Sequence, residues 1–210
     1  MLNRITLPVT AFAQNCSLVW CSATNKAALI DPGGETQRLL AEIEQRGLIL
    51  ESILLTHGHL DHVGATGELL EINPVPVIGP SIEDAFWING LDQQAQMFGL
   101  SSVPAFTPDK WLNAGDKVQV GEEVMDVYFC PGHTPGHIVF VHPTQRLAFV
   151  GDVIFNGGVG RSDFPQGNHG HLIHSIKQTL LPLGDDITFV PGHGPESTFG
   201  HERQHNPYLR

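Results

Sequence analysis

The run Thr56-His-Gly-His-Leu-Asp-His62 sits directly behind an apolar stretch, Ser52 to Leu55, and packs four metal-ligating side chains into six residues. Neutral imidazoles and carboxylates are donors for divalent cations. A fold that uses them must carry this segment to an edge where donors from distant parts of the chain can meet it. Standing alone, the run would be a histidine-rich surface loop.

Further donors follow the same grammar. Cys130-Pro-Gly-His133, Val150-Gly-Asp152 and Val190-Pro-Gly-His193 each end an apolar run with a candidate ligand just past it. Taken singly, a Gly-His turn is unremarkable and an Asp after Gly often caps a helix; the recurrence is what points to a site. Residues that follow aligned strands converge on one rim of a β-sandwich, and Pro-Gly turns keep the backbone tight so that imidazoles point inward.

Periodicity supports such a layout. Ile5 to Thr10, Cys16 to Trp20 and Ala27 to Ile30 read as a strand meander closed by Asp31-Pro-Gly-Gly34. Glu35 to Arg46 carries Leu39, Leu40 and Ile43 on one helical face and stops at Gly47. A strand at Ile53 to Thr56 delivers the ligand run, and a helix begins near Asp61 or His62 and continues to about Ile72. Pro74 to Ile78 reads as a strand, Ser81 to Leu100 as largely helical, and Ser101 to Pro108 as loop. Strands follow at Lys117 to Val120, Val124 to Cys130, Ile138 to Val141 and Leu147 to Val150, then a helix at Leu172 to Leu183 and a last strand at Ile187 to Val190. Two strand-rich halves, each closed by helices, predict an α/β (α+β) fold with two sheets face to face and helices outside.

Composition narrows the function. A chain of 210 residues with 41% apolar and 16% charged content can bury a core as one domain spanning residues 1–210. A formal charge of −11 with only 11 Lys and Arg argues against a nucleic-acid partner. Cys16, Cys21 and Cys130 have no disulfide-framework spacing and suit a reducing compartment. With neither a signal-peptide core nor a membrane span legible, the expectation is a cytoplasmic enzyme with no membrane partner. Oligomeric state is not legible.

Thr56-His-Gly-His-Leu-Asp-His62, Pro131-Gly-His-Thr-Pro-Gly-His137, Gly151-Asp152 and Pro191-Gly-His-Gly194 resemble, in order and spacing, the metallo-β-lactamase superfamily. Within it the chain is similar to glyoxalase II, the hydroxyacylglutathione hydrolases, and most of all to the short YcbL-type members. Ala13-Gln-Asn-Cys16, Asp31-Pro-Gly-Gly34, Gly151-Asp-Val-Ile-Phe155 and Gly160-Arg-Ser-Asp-Phe164 extend the likeness over nearly the whole chain. The resemblance implies a four-layer αββα sandwich and two divalent metal ions. His57, His59 and His133 would hold the first, Asp61, His62 and His193 the second, and Asp152 would bridge them. Zn2+ suits this mixed donor set best, and Fe or Mn is also accepted by imidazole and carboxylate. The family places its ligand at His133, so His137 is expected to support a ligand or face the core. His169, His171 and His174 lack a carboxylate partner and are expected to be exposed or hydrogen-bonded. Cys130 is expected to be a buried strand-end thiol, and Cys16 can line the site without any sign of activation.

Two such cations make hydroxide available near neutral pH and polarise a carbonyl, so a hydrolase of this kind needs no protein nucleophile. The bridging hydroxide is the expected nucleophile and Asp61 the residue that orients it. A thiolate departs readily, since a thiol has a pKa of roughly 8.5, whereas an amide nitrogen needs a proton donor that is not evident here. The implied substrate is therefore a small-molecule thioester of the S-lactoylglutathione kind, and the implied role is methylglyoxal detoxification. Set against full-length glyoxalase II, the chain is expected to lack the C-terminal helical domain. Arg161 stands where that family has a basic residue near the glutathione carboxylate, but Ser162 to Phe164 do not reproduce the tyrosine that follows. The alternative within the superfamily is a mononuclear iron persulfide dioxygenase, whose Gly-Arg-Thr-Asp-Phe-like segment Gly160–Phe164 resembles. A lactamase is disfavoured by the Asp61-His62 pair. A non-catalytic binding protein on the same fold would be expected to have lost a ligand position, and none is lost.

Overall fold

The computed structural model describes residues 1–210. In the first half, β1 (Leu2–Val9), β2 (Gln14–Cys21), β3 (Lys26–Ile30), β4 (Ile49–Leu54) and β5 (Val77–Ile78) form a sheet in that order. The first three strands are an antiparallel meander, while β4 and β5 join parallel to β3 and to each other. The parallel joints require crossovers, and helices α1 (Thr36–Gln45), α2 (Leu60–Val63) and α3 (Thr66–Ile72) supply them. Helices α4 (Ala85–Asn89) and α5 (Leu91–Met97) follow. In the second half β6 (Lys117–Val120), β7 (Glu123–Phe129), β8 (Ile138–His142) and β9 (Leu147–Gly151) form an antiparallel series. A two-stranded hairpin, β10 (Ile154–Phe155) with β11 (Gly158–Val159), comes next. After α6 (His169–His174), β12 (Thr188–Pro191) pairs parallel to β9, β13 (Ser197–Thr198) closes the edge, and α7 (Phe199–His205) follows, with a 3₁₀ turn at Pro207–Leu209 behind it.

Alternation within single strands assigns the layers. In β8, Ile138 and Phe140 pack between the sheets, whereas Val139 and Val141 face the outer helices; Phe149 and Val150 divide the same way in β9. The inter-sheet core joins Val19, Ile30 and Leu54 to Phe140, Phe149 and Val190. A second cluster packs Leu39, Ile43, Val63 and Leu69 onto the outside of the first sheet, and a third packs Leu172, Ile176 and Phe199 onto the outside of the other. Helix, sheet, sheet, helix is the four-layer sandwich the sequence led us to expect.

Strand direction then fixes the site's position. Strands β7 and β9 both run antiparallel to β8, and β12 runs parallel to β9, so Phe129, Gly151 and Pro191 all end at one edge. Strands β1, β3 and β4 end together in the other sheet by the same logic. Asn15 fastens the two edges: its N–H donates to the Gly192 carbonyl over 2.7 Å and its amide to Pro191 and Gly194.

Several elements differ from the sequence expectation. The helix expected from Asp61 to Ile72 is divided at Gly64 and Ala65. There the Gly64 Cα comes so near the Gly33 carbonyl that a Cβ would lie 2.8 Å from it. The segment Ser81 to Leu100 breaks into a 3₁₀ turn and two short helices, and the strand expected from Pro74 shrinks to Val77–Ile78. The helix expected at Leu172–Leu183 begins at His169, widens into a π-helical stretch over Ser175–Leu180 and tightens to 3₁₀ at Leu181–Leu183, where Pro182 has no N–H to continue the ladder.

Candidate metal centre

Four histidines at this edge are oriented by the same device. Each sets its Nδ1 against a fixed acceptor, which turns Nε2 inward. His57 Nδ1 lies 3.0 Å from Thr56 Oγ1, which itself donates to Asp31 Oδ2 and so must accept. His62 Nδ1 lies 2.9 Å from Asp31 Oδ2, His133 Nδ1 2.7 Å from the Arg161 carbonyl, and His193 Nδ1 3.2 Å from the Phe12 carbonyl. His59 turns its Nδ1 inward instead, 2.9 Å from His133 Nε2.

The inward atoms form two groups. Donor atoms of His57, His59 and His133 lie within 4.8 Å of one another, and those of Asp61, His62 and His193 do likewise. Asp152 stands between them: Oδ1 approaches His62 Nε2 at 3.3 Å, while Oδ2 lies 3.6 Å from His133 Nε2 and 3.7 Å from His193 Nε2. All seven residues singled out in the sequence thus meet at one place. His57 Nε2, His62 Nε2 and Asp152 Oδ1 are buried there without a hydrogen-bond partner, a costly condition for polar atoms unless something else binds them.

The electrostatics suit a cation. Burial and neighbouring imidazoles push His57 well below its ordinary pKa, and burial with His133 takes His59 down to about 3, so both rings are neutral donors. Burial opposes charge on His62 as well, but Asp152 and Asp61 beside its Nε2 raise its pKa far above the ordinary value. Burial works against the charge of Asp152, yet His62 and His133 hold its carboxyl well below the usual range. Carboxylates that would force a proton onto a buried imidazole present a field that divalent cations satisfy. Room is kept for them at Gly192, where a Cβ would lie 2.0 Å from Asp152 Oδ1 and 2.6 Å from the His62 ring.

The remaining predicted residues fall around this core. His137 is buried and stacked on His57, ring centroids 4.6 Å apart, and its Nε2 accepts the Asp152 N–H over 3.1 Å, so it positions rather than joins the cluster. The Arg161 side chain is exposed, paired with Asp163 at 2.9 Å, and lies over the Phe164 ring. His169, His171 and His174 are exposed. Cys16 and Cys130 are buried, and burial pushes both thiols up, which leaves neither as a nucleophile.

Sequence reasoning gave no role to Asp31, Thr56, Asp84 or Gln94. Asp31 accepts from the Thr56 N–H and Oγ–H as well as from His62. Asp84 takes the Gly58 and Gly136 N–H groups and the Thr134 hydroxyl, joining the two histidine loops. Gln94 accepts from the first N–H of α2, Leu60, and donates to the Trp87 carbonyl. Asp31-Pro-Gly-Gly34 was visible as a segment; the signal for Asp84 and Gln94 was a polar residue within a stretch otherwise fit for burial.

An αββα sandwich with a histidine- and aspartate-rich rim defines a class of metal-dependent enzymes, and the chain belongs to it: residues 9–193 match the Metallo-beta-lactamase superfamily. It is 48% identical over 99% of its length to hydroxyacylglutathione hydrolase GloC of Haemophilus influenzae, covering 98% of that protein. Among solved structures it is 37% identical to TTHA1623 in a di-iron-bound form (TM-score 0.89, covering 98% of this chain and 100% of that one). It is 30% identical to BLEG-1, a B3 metallo-beta-lactamase (TM-score 0.89, covering 100% and 99%).

Proposed function

We propose that this chain is a hydrolase dependent on two divalent metal ions, and that it cleaves thioesters of the S-2-hydroxyacyl-glutathione type. The observation that carries the reading is the pair of donor groups on either side of Asp152, with Nε2 of four rings turned inward. His57, His59 and His133 would hold one ion, Asp61, His62 and His193 the other, and Asp152 both. When bound, such ions supply hydroxide near neutral pH and Lewis-acid polarisation of a carbonyl. Zn2+ is the first expectation, and the di-iron form of TTHA1623 supports iron as an occupant of a related site.

The chain's own part is orientation. In this reading Asp61, whose Oδ2 lies 3.1 Å from His193 Nε2, would accept a hydrogen bond from the attacking hydroxide. Attack forms a C–O bond at the thioester carbonyl, the C–S bond breaks, and the thiolate leaves with the electron pair and takes a proton from water. Arg161 is the proposed contact for the thiol carrier's carboxylate. Three unpaired thiols support a cytoplasmic setting.

The test is purified protein of measured metal content, assayed on S-lactoylglutathione, on glutathione persulfide with oxygen consumption followed, and on a β-lactam. Thioester cleavage that His57→Ala lowers at least a hundredfold supports the reading. Fully metallated protein that leaves the thioester intact, or oxygen consumption in its place, overturns it.

A further inference from the structure

We propose that a cleft beside Asp61 receives the acyl part of the substrate, and that its natural occupant is an aliphatic acyl chain longer than lactoyl. This rests on the thioester-hydrolase reading and names the substrate class for it. The cleft encloses about 200 Å³ between the turn after β1, the start of α1 and the α2–α3 break, room for roughly six water-sized groups. Ala11, Phe12, Leu60, Ala65, Leu100 and Val103 give it apolar walls. Phe12 belongs to both places: it lines the cleft, and its carbonyl holds His193, the partner of Asp61.

Charge decides which end of a thioester enters. The ionisable residues lining the cleft are Glu35, Asp61 and Glu68, with no Lys, Arg or His among them. Glutathione carboxylates or a phosphorylated carrier would be repelled, whereas a hydrocarbon chain is not. Glu35 is engaged by Arg38 and the Thr10 N–H, and Glu68 by the Thr36 hydroxyl, and both are exposed, so their carboxylates stay at the solvated rim of the cleft. The opposite flank has the complementary character. There Phe164 packs on His59 and His133, and the Arg161 guanidinium carbon, in a group paired with Asp163, lies 4.4 Å from the Phe164 ring centre at the exposed rim. The reacting carbonyl then sits between a hydrocarbon end and a charged end. Phe98 and Leu100 extend the apolar surface past the cleft mouth at 55% and 48% exposure, with the Phe98 ring edge-on to Phe12 at 5.1 Å. Exposed apolar surface next to a reactive centre is what a longer chain would cover.

The experiment compares kcat/KM for the acetyl, butyryl and octanoyl thioesters of glutathione. Each methylene that enters should raise kcat/KM roughly fourfold, the equivalent of ~0.8 kcal/mol, until the cleft is full. Val103→Trp, at a half-buried wall position, should flatten that rise by costing the octanoyl thioester more than the lactoyl one; Leu100→Asp at the exposed mouth should act in the same direction. A flat or falling profile in metallated wild type, or equal loss on lactoyl and octanoyl substrates in both variants, overturns the proposal. If no thioester is cleaved at all, the hydrolase reading fails, and calorimetric titration with acetate and octanoate decides the cleft separately. Octanoate binding at least tenfold tighter than acetate, lost in Val103→Trp, supports it; equal binding overturns it.

Discussion

Asp31 sets two imidazoles with one carboxylate, holding His62 directly and His57 through Thr56. Because those bonds fix the tautomers rather than occupy the metal-facing nitrogens, Asp31→Ala should lower affinity at the second group by about 10–100-fold with every proposed ligand still present. Metal content after dialysis against a graded chelator measures this; full retention would show that His62 needs no such partner. Asp84 makes a different prediction. Its oxygens accept three hydrogen bonds, yet burial outweighs them and raises its pKa to about 6. An acid whose folded pKa is raised favours the fold below its unfolded value, near 4, and that contribution is lost as pH rises through 6. Wild type should therefore lose up to ~3 kcal/mol relative to Asp84→Asn between pH 4 and pH 6.5, read from urea unfolding of both proteins. A constant difference across that window would contradict the assignment. These residues also show what the sequence conceals. The proposed ligands are legible because four crowd into one run and three recur behind strands, whereas Asp84 lies 26 residues from Gly58 and 50 from Thr134, so its role exists only once the loops are folded together.

At the scale of elements, strands were read well and the end of the chain was not. Strand β8 announces itself as a continuous β-branched and aromatic run, with both faces buried, but β10, β11 and β13 are two residues each and carry no period to detect. Helix α7 holds them through one buried acid. Glu202 accepts from the Gly157 N–H, the Asn206 amide and the Ser197 hydroxyl, tying the helix to the β10–β11 turn and to β13. Phe155 of that hairpin packs edge-on to His193, ring centroids 6.3 Å apart. Removing the acid takes one acceptor from the buried Asn206 amide and frees the half-buried Ser197 hydroxyl and the exposed Gly157 N–H to water, so Glu202→Ala should destabilise the fold by ~1–3 kcal/mol. Glu202→Gln, which keeps an acceptor oxygen, should cost less. Chemical denaturation ranks the two, and equal stabilities for wild type and Glu202→Ala would remove the clamp.

Across the whole molecule the proposed ligands divide between the halves: His57, His59, Asp61 and His62 follow β4 of the first sheet, while His133, Asp152 and His193 follow β7, β9 and β12 of the second. The sheets are joined by an apolar core that does not depend on the site, so the apoprotein should remain folded. Yet the rim would hold the imidazoles of His57, His59 and His133, all lowered in pKa by burial, against carboxylates with buried polar atoms unpartnered, and ions bound there would crosslink the two edges. Ligands that bind only the folded state stabilise it by RT ln(1 + [L]/Kd), ~4 kcal/mol at a thousandfold excess over Kd. For a chain of this size 1 kcal/mol moves Tm by about 2–4 °C. Chelation should therefore lower Tm by roughly 10 °C, reversibly on adding back metal, with far-ultraviolet circular dichroism unchanged. The apo form of His57→Ala should melt near apo wild type and gain less from metal. Identical Tm values for apo and reconstituted wild type would mean that the convergence of seven side chains from both sheets does not bind metal, whatever the lineage of the fold.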